Sequence, residues 1–346
     1  MARKKPPQGM ASVKRMDAEG RSRGPQGKHA DDSKLGVGEV CPDATGNGLP
    51  RDAPRSAARV TDQELASVEQ VESAKEKPYL SPTQVGMYLK CPRQYHYRYV
   101  LGKRSPPSGA IAVGSCWHGA VETNYKHKLT HDNEDMPVDD VEAVFSDAWD
   151  EAVKDGMSRS RKPKKGEKEI RDEISWVDGE KAGTLKDMGI KVTRLHRLEV
   201  APDVKPKLIE HQFRVNLGDD FPYDLLGYID LVEEGDVIRD TKSKGRAPPQ
   251  ADVDKDLQLT SYSLARRIET GKVEPHIVLD VVVKKRVPEC IQIHTRRTND
   301  QLRWYLRLVE EVAMSIKAGN FPPNPTGWWC SEKWCGYWNP CMKVRA

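Results

Sequence analysis

Two short apolar runs, each carrying a carboxylate, constrain this chain more than any other feature. One runs from Leu225 to Val232 and contains Asp230; the other runs from Val237 to Lys242 and contains Asp240. Glu233, Glu234 and Gly235 between them read as a hairpin connection, so the runs are expected to be neighbouring strands. Side chains alternate along a strand, so Asp240 and Lys242 point one way and Thr241 the other. Two carboxylates and a lysine are thereby brought to one face of a small sheet. Oxygen ligands of this kind suit a hard cation such as Mg2+, and an ammonium beside them can hold an anion or an attacking water.

The remaining chain reads as support for that site. Its 346 residues suffice for one large or two small domains. Charged residues make up 31% and the mean hydropathy is -0.72, and much of this polarity lies at the N-terminus. Residues 1–77 contain no aromatic side chain and few aliphatic ones, a composition expected of a disordered polar arm. The net charge of +4 is too small to demand nucleic acid by itself, so local patches must make that case. No apolar run approaches membrane-span length, and the opening MARKKPPQG lacks the apolar core of a signal peptide. The expectation is a soluble, cytoplasmic protein without a membrane partner.

Order is expected from about Tyr79. Ser81 to Gln84 reads as a capping box with proline at the first helical position, and the helix should break at Pro92, just after Cys91. In the following RQYHYRYVLG, arginines and tyrosines interleave. Such a mixture can stack bases and hold phosphates, with Arg93 and Tyr97 as candidate contacts; it can equally be a helix packing its tyrosines on the core. Next comes a small-residue helix in which His118 and Glu122, four apart, share a face. A helix is predicted over 138–154, and a strongly basic loop over 158–172 offers Lys162, Lys164 and Lys165 to a phosphate backbone.

A long helix is predicted over 179–198. The run KPKLIEHQFRVNL then alternates, with Ile209, His211, Phe213 and Val215 on one side and Glu210, Gln212 and Arg214 on the other. After the two central strands, residues 250–267 read as one helix in which Gln258 and Tyr262 share a face. Two further strands are predicted over 278–284 and 291–296. A second capping box, Thr298 to Gln301, opens a helix carrying Leu302, Tyr305, Leu306, Val309 and Val312. There is no GxxxxGK[ST] loop, so an ATP-driven motor is not expected here.

The seven cysteines are Cys41, Cys91, Cys116, Cys290, Cys330, Cys335 and Cys341. An odd number without a secretion signal argues against a disulfide framework and makes metal binding the leading use. Thiolates bind both zinc and iron–sulfur clusters, and spacing alone does not separate the two. Four buried thiols are the remaining possibility. Three of the seven crowd into the last 17 residues.

Taken in order, GSCWHGAVE around His118, EHQFRV from Glu210, GYID ending at Asp230, DTK from Asp240 to Lys242 and QLTSY from Gln258 to Tyr262 resemble the RecB-like branch of the PD-(D/E)XK nuclease superfamily. The upstream LKCPRQYHYRYVLG around Cys91 and the tail CSEKWCGYWNPC resemble the variant with an iron–sulfur cluster, known from CRISPR-associated and bacteriophage exonucleases. The resemblance runs from about residue 79 to the end. It implies an α/β restriction-endonuclease-like core over 78–346, a central mixed β-sheet flanked by helices, with a cysteine-rich tail (328–341) tied back to the first helix.

The resemblance also implies roles. His118, Asp230, Asp240 and the main-chain carbonyl of Thr241 would hold one or two Mg2+ or Mn2+ ions. Lys242 would orient or help deprotonate the attacking water, Gln258 and Tyr262 would line the DNA groove or brace the site, and Glu210 would be an accessory acid. Cys91, Cys330, Cys335 and Cys341 would hold a [4Fe-4S] cluster, with zinc as the alternative. Two departures stand out. Asp240 takes a place where glutamate is commoner, and the tail reads Cys-x4-Cys-x5-Cys where a first gap of two is commoner.

The function implied is a metal-dependent DNA nuclease, most simply an exonuclease on single-stranded ends, in phage or bacterial recombination, replication or repair. A separate helicase or recombinase would be its partner. The alternatives are a catalytically silent DNA-binding or adaptor protein of the same fold, and a zinc-stapled interaction module.

Overall fold

The computed structural model describes residues 14–16, 77–158, 169–177, 179–219 and 221–343. Apart from residues 14–16, the N-terminal arm lies outside the described residues, as do Lys162, Lys164 and Lys165 of the basic loop.

Two layers of helices enclose one sheet. Strand β1 (Lys14–Met16) is a short edge piece, and β2 (Tyr79–Leu80) leads into helix α1 (Pro82–Lys90). The capping box forms as predicted: Ser81 Oγ accepts from Gln84 N at 3.2 Å, and the Gln84 side chain accepts from Ser81 N at 2.8 Å. Cys91 is extended, and Pro92, which lacks an N–H to continue the ladder, opens the short α2 (Pro92–Tyr95). A π-turn over His96–Val100 follows.

Helices α3 (Gly109–Thr130), α4 (Val138–Asp155) and α5 (Ala182–Glu199) cover one face of the sheet. Their shared core is built on Trp117, Phe145, Trp149 and Val192. Gly189 of α5 is required here, because a Cβ would sit 1.8 Å from the Phe145 ring.

After a separate antiparallel pair, β3 (Met157–Ser158) and β4 (Arg171–Asp172), the main sheet continues with β5 (Pro206–Val215), β6 (Asp224–Glu233), β7 (Ile238–Lys244), β8 (Ile277–Val283) and β9 (Glu289–Thr295). Its order is β1-β9-β8-β7-β6-β2, with β5 also on β6. Pairing is antiparallel for β5–β6, β6–β7 and β8–β9, and parallel for β7–β8, so the sheet is mixed as expected. The β8 sequence IVLDVVV is buried along its whole length, as a central strand covered on both faces should be. Between β7 and β8 run α6 (Gln250–Val253) and α7 (Leu257–Thr270). With α1 and α8 (Asn299–Lys317) they contribute Tyr88, Leu264, Tyr305 and Val309 to the core on the second face.

Residues 250–267 are therefore not one helix. The chain breaks between Val253 and Leu257, where the Asp256 carboxylate accepts from Leu259 N and caps α7. Arg297 donates to the Val253 carbonyl, which has no i+4 helical donor at the break, and also to the Asp256 carbonyl, which keeps its helical bond from Thr260 N.

One irregularity of the sheet positions everything that follows. β6 and β7 pair only at Leu231↔Arg239 and Val232↔Ile238. β7 then follows β8 through Lys244, while the same edge of β6 is taken up by β2 at Asp224 and Leu225. The two strands fork. In the register of that short pairing, Asp230 and Asp240 are the first residues beyond the fork.

Candidate active site

The fork is held rigid at its base. Arg239, buried, donates to Glu233 Oε1 at 2.8 Å on β6 and to Asp280 Oδ2 at 2.6 Å on β8, so one guanidinium ties three strands together next to Asp240. Ile238 packs in the core on the α7 side, and Asp240 and Lys242 share its parity. Lys242 Nζ donates to Asp240 Oδ1 at 2.9 Å. Across the gap, Thr241 N reaches Asp230 Oδ2 at 3.4 Å. A backbone donor freed by the fork thus meets the carboxylate on the other prong.

The simple alternation predicted for β5 fails at its centre. Phe213 and Val215 pack on the α7 side, but Ile209 packs on the α3 side, and so does its partner Leu231 in β6, whereas Ile229 lies on the α7 side. Glu210, which the register sets opposite Asp230, has φ of 50°, a left-handed conformation that costs an L-residue about 1–2 kcal/mol. The reversal turns Glu210 toward the α3 layer, where its Oε1 lies 3.7 Å from His118 Nδ1. Backbone strain held at a cluster of polar side chains is commonly functional.

The site therefore has two parts that share His118. Its Nε2 lies 2.9 Å from Asp230 Oδ2. Its other contacts fall with Glu122 and Glu210, whose donor atoms lie with its own within 4.8 Å of one another. Glu122 carries no role in the sequence expectation, and its spacing of four from His118 is the signal for it. Thr241 lines the same small cavity as His118, Glu122, Glu210 and Asp230. On the opposite side of the fork, Gln258 Nε2 donates to Tyr262 Oη at 2.6 Å, and Tyr262 is buried against Phe213. This i,i+4 bond lies within α7, whose Tyr262 ring packs on Phe213 of β5.

The electrostatics mark a place for a cation. Burial, reinforced by the neighbouring Asp230 and opposed by Lys242, pushes Asp240 up to about 8. Burial also works against an ionised Asp230, but His118, Lys242 and the contact with Asp240 hold it well below the usual carboxylate range. Lys242 keeps its charge: burial opposes it, and the two aspartates more than offset that. The second oxygen of Asp240 is buried and receives no donor. Two buried carboxylates with one ammonium between them are short of positive charge, and their oxygens are the ligands that Mg2+ or Mn2+ takes.

The fork, the acidic pair and the D-x-K order now meet an independent finding. Residues 79–342 match the family model of the PD-(D/E)XK nuclease superfamily. The chain belongs to that superfamily. The crystal structure of a candidate exonuclease from Eubacterium rectale is similar at 14% identity, with a TM-score of 0.48, over 80% of this chain and 94% of that one. No curated protein matches the chain in sequence. In this nuclease-superfamily domain no helix among the described residues is long and apolar enough to cross a membrane.

Outside the fork, the nuclease domain carries its cysteines in two settings. Cys116 and Cys290 are buried among apolar side chains of the α3 layer. Cys91, Cys330, Cys335 and Cys341 instead line one cavity of about 70 Å³, closed by Gln94, Pro323, Trp329 and Trp338. Burial raises the Cys341 thiol; Arg93 opposes this, and Cys91, Cys335 and Cys330 add to the rise. Gln94 Nε2 donates to Cys335 Sγ at 3.3 Å and Asn324 N to Cys91 Sγ at 3.4 Å.

Tyr97, offered above as a DNA contact, is buried here: its ring stacks on Tyr337 at 5.5 Å and its hydroxyl donates to Pro340 O at 2.8 Å. Arg93 lines this cavity and the adjoining surface cleft with Tyr88, His96 and Phe321.

Proposed function

We propose that the protein is a metal-dependent deoxyribonuclease that hydrolyses phosphodiester bonds from single-stranded ends, in phage or bacterial recombination, replication or repair. The observation that carries this reading is the Asp230/Asp240 pair at the fork with Lys242 bonded to Asp240 and His118 bonded to Asp230. Asp230, Asp240 and His118 would hold Mg2+ or Mn2+, with the Thr241 carbonyl beside them and Glu122 and Glu210 as further donors. A bound divalent ion there would polarise the scissile phosphate and acidify an attacking water.

The chain's own groups do the rest. Lys242, charged and fixed by Asp240, is placed to orient the water and to offset the negative charge that grows on the phosphoryl oxygens. Gln258 and Tyr262 hold α7 against the fork so that Lys242 keeps its direction. Arg239 fixes the strand from which Asp240 and Lys242 project. Arg93 and the basic loop with Lys162, Lys164 and Lys165 are placed in the reading as contacts to the DNA backbone. A separate helicase or recombinase would supply the single-stranded end, since no phosphate-binding loop is present in the sequence.

We also assign Cys91, Cys330, Cys335 and Cys341 to a [4Fe-4S] cluster. Support comes from four sulfurs around one cavity and from the two N–H groups aimed at Cys335 and Cys91. Protein purified without oxygen should then be brown and hold four irons; colourless protein with stoichiometric zinc would overturn this assignment.

The nuclease reading is tested by incubating end-labelled single- and double-stranded DNA with Mg2+ or Mn2+, comparing wild type with Lys242→Ala. The expected result is metal-dependent shortening of single strands, slowed about 10²–10⁴-fold by the substitution. Absence of cutting by folded wild type would leave a DNA-binding protein of the same fold.

A further inference from the structure

The tail carries a feature that neither the fork nor the cysteines use. Trp328 and Trp334 are 73% and 58% exposed, on either side of Cys330. They meet edge to face at 5.9 Å and 84°, and Trp328 meets Trp329 likewise at 6.0 Å and 74°. Most of the Trp328 indole and over half of Trp334 therefore remain open to solvent, with Lys333 over the Trp334 ring. Trp329 roots the group: it folds back over Gly327, where a Cβ would lie 2.1 Å from its ring, and it lines the cysteine cavity.

Cations accompany the indoles. Lys333 Nζ lies 5.0 Å from the Trp334 ring centre and Lys90 Nζ 5.3 Å from that of Trp329. Among the described residues neither lysine is ion-paired with a carboxylate. Residues 322–346 contain Lys333, Lys343 and Arg345 against a single acid, Glu332. Exposed aromatic groups rimmed by protein-binding surface are usually poor in lysine. Aromatic faces interleaved with lysine are instead what single-stranded nucleic acid binds, bases on the rings and phosphates on the ammoniums.

We propose that Trp328 and Trp334, with Lys90 and Lys333, form a stacking platform for single-stranded nucleic acid. Its use as a substrate-holding site rests on the nuclease reading above; its binding does not. A duplex keeps its bases stacked inside and can offer only its phosphates, so the platform discriminates by strandedness and not by sequence.

The experiment uses the full chain with Lys242→Ala and no divalent cation, so nothing is cut. Affinities for an oligo-dT single strand and for a duplex of equal length are measured by anisotropy over a range of salt. Trp328→Ala with Trp334→Ala should weaken single-strand binding at least about tenfold and leave duplex binding unchanged. Phenylalanine at both positions, which keeps a π-face, should restore most of the loss. Lys90→Gln with Lys333→Gln, which removes the two ammonium charges and keeps most of each side chain, should shallow the salt slope on single strands by about 1.4.

Equal single-strand affinity in the alanine variant, or an equal loss on both substrates, overturns the proposal, as does an unchanged salt slope in the lysine variant. A wild type that cuts DNA while the alanine variant binds normally sinks the platform alone. A wild type that binds through its indoles yet never cuts sinks the nuclease reading alone.

Discussion

The fork and the cysteine module solve the problem of holding chemical groups in opposite ways. At the fork, the backbone does the holding: strand register sets Asp230 against Asp240, and Arg239 ties β6, β7 and β8 together beneath them. The module, residues 322–343, has turns and one short helix, α9 (Trp338–Met342). It is fastened to segment 90–103 by a few hydroxyl and amide contacts: Asn324 Nδ2 to Lys90 O, Tyr97 Oη to Pro340 O and Tyr337 Oη to Lys103 O. A site built by register keeps its shape without a ligand. A site built from loops depends on what it binds to stay closed.

The widest separation between the two regions should come from paired substitutions. Lys242→Ala should cut the rate by about 10²–10⁴ while moving the melting temperature little, because the fork keeps its strands and Arg239. Cys335→Ala should do the reverse in its first effect. It should release the iron, expose the tail to protease and lower the melting temperature by about 5–10 °C, the loss expected when a clip on a long loop opens. Calorimetry, iron content and the cleavage assay on both variants check the pair. Equal thermal losses would mean that the two regions are not held differently.

The fork was open to sequence reasoning because its residues obey short-range rules. Asp240 and Lys242 are two apart in a strand, Gln258 and Tyr262 four apart in a helix, and each pair ends in a direct hydrogen bond. The two capping boxes formed for the same reason. What stayed hidden depended on partners far along the chain. Arg297 takes up the Val253 carbonyl at the break in the helix predicted over 250–267, and the tail buries Tyr97. Glu122 belongs with His118 only because a reversal at Glu210, more than eighty residues on, turns a third donor toward them.

A smaller effect tests whether the fork's base is rigid because of charge. Arg239→Met leaves Glu233 and Asp280 buried without their shared cation, and breaking a buried pair of this kind costs about 3–5 kcal/mol. The melting temperature should fall by about 10 °C and the cleavage rate should fall with it, since Asp240 is the next residue. Replacing all three with apolar residues of similar volume should recover most of the stability. Recovery of stability without recovery of rate would show that Arg239 positions β7 and does more than pack it.

The smallest effect isolates the backbone. Glu210 sits at φ of 50°, where glycine is at ease and an L-side chain is strained. Alanine and glycine at this position both remove the carboxylate, so both should lose the same activity. They should differ in stability, with Glu210→Gly above Glu210→Ala by about 1 kcal/mol, the opposite of the usual order within a strand. Denaturant midpoints of the two variants, measured at equal m-value, give the difference. If alanine proves the more stable, the reversal at Glu210 is a relaxed turn of the chain. The fork would then store no strain, and its preorganisation would rest on Arg239 and strand register alone.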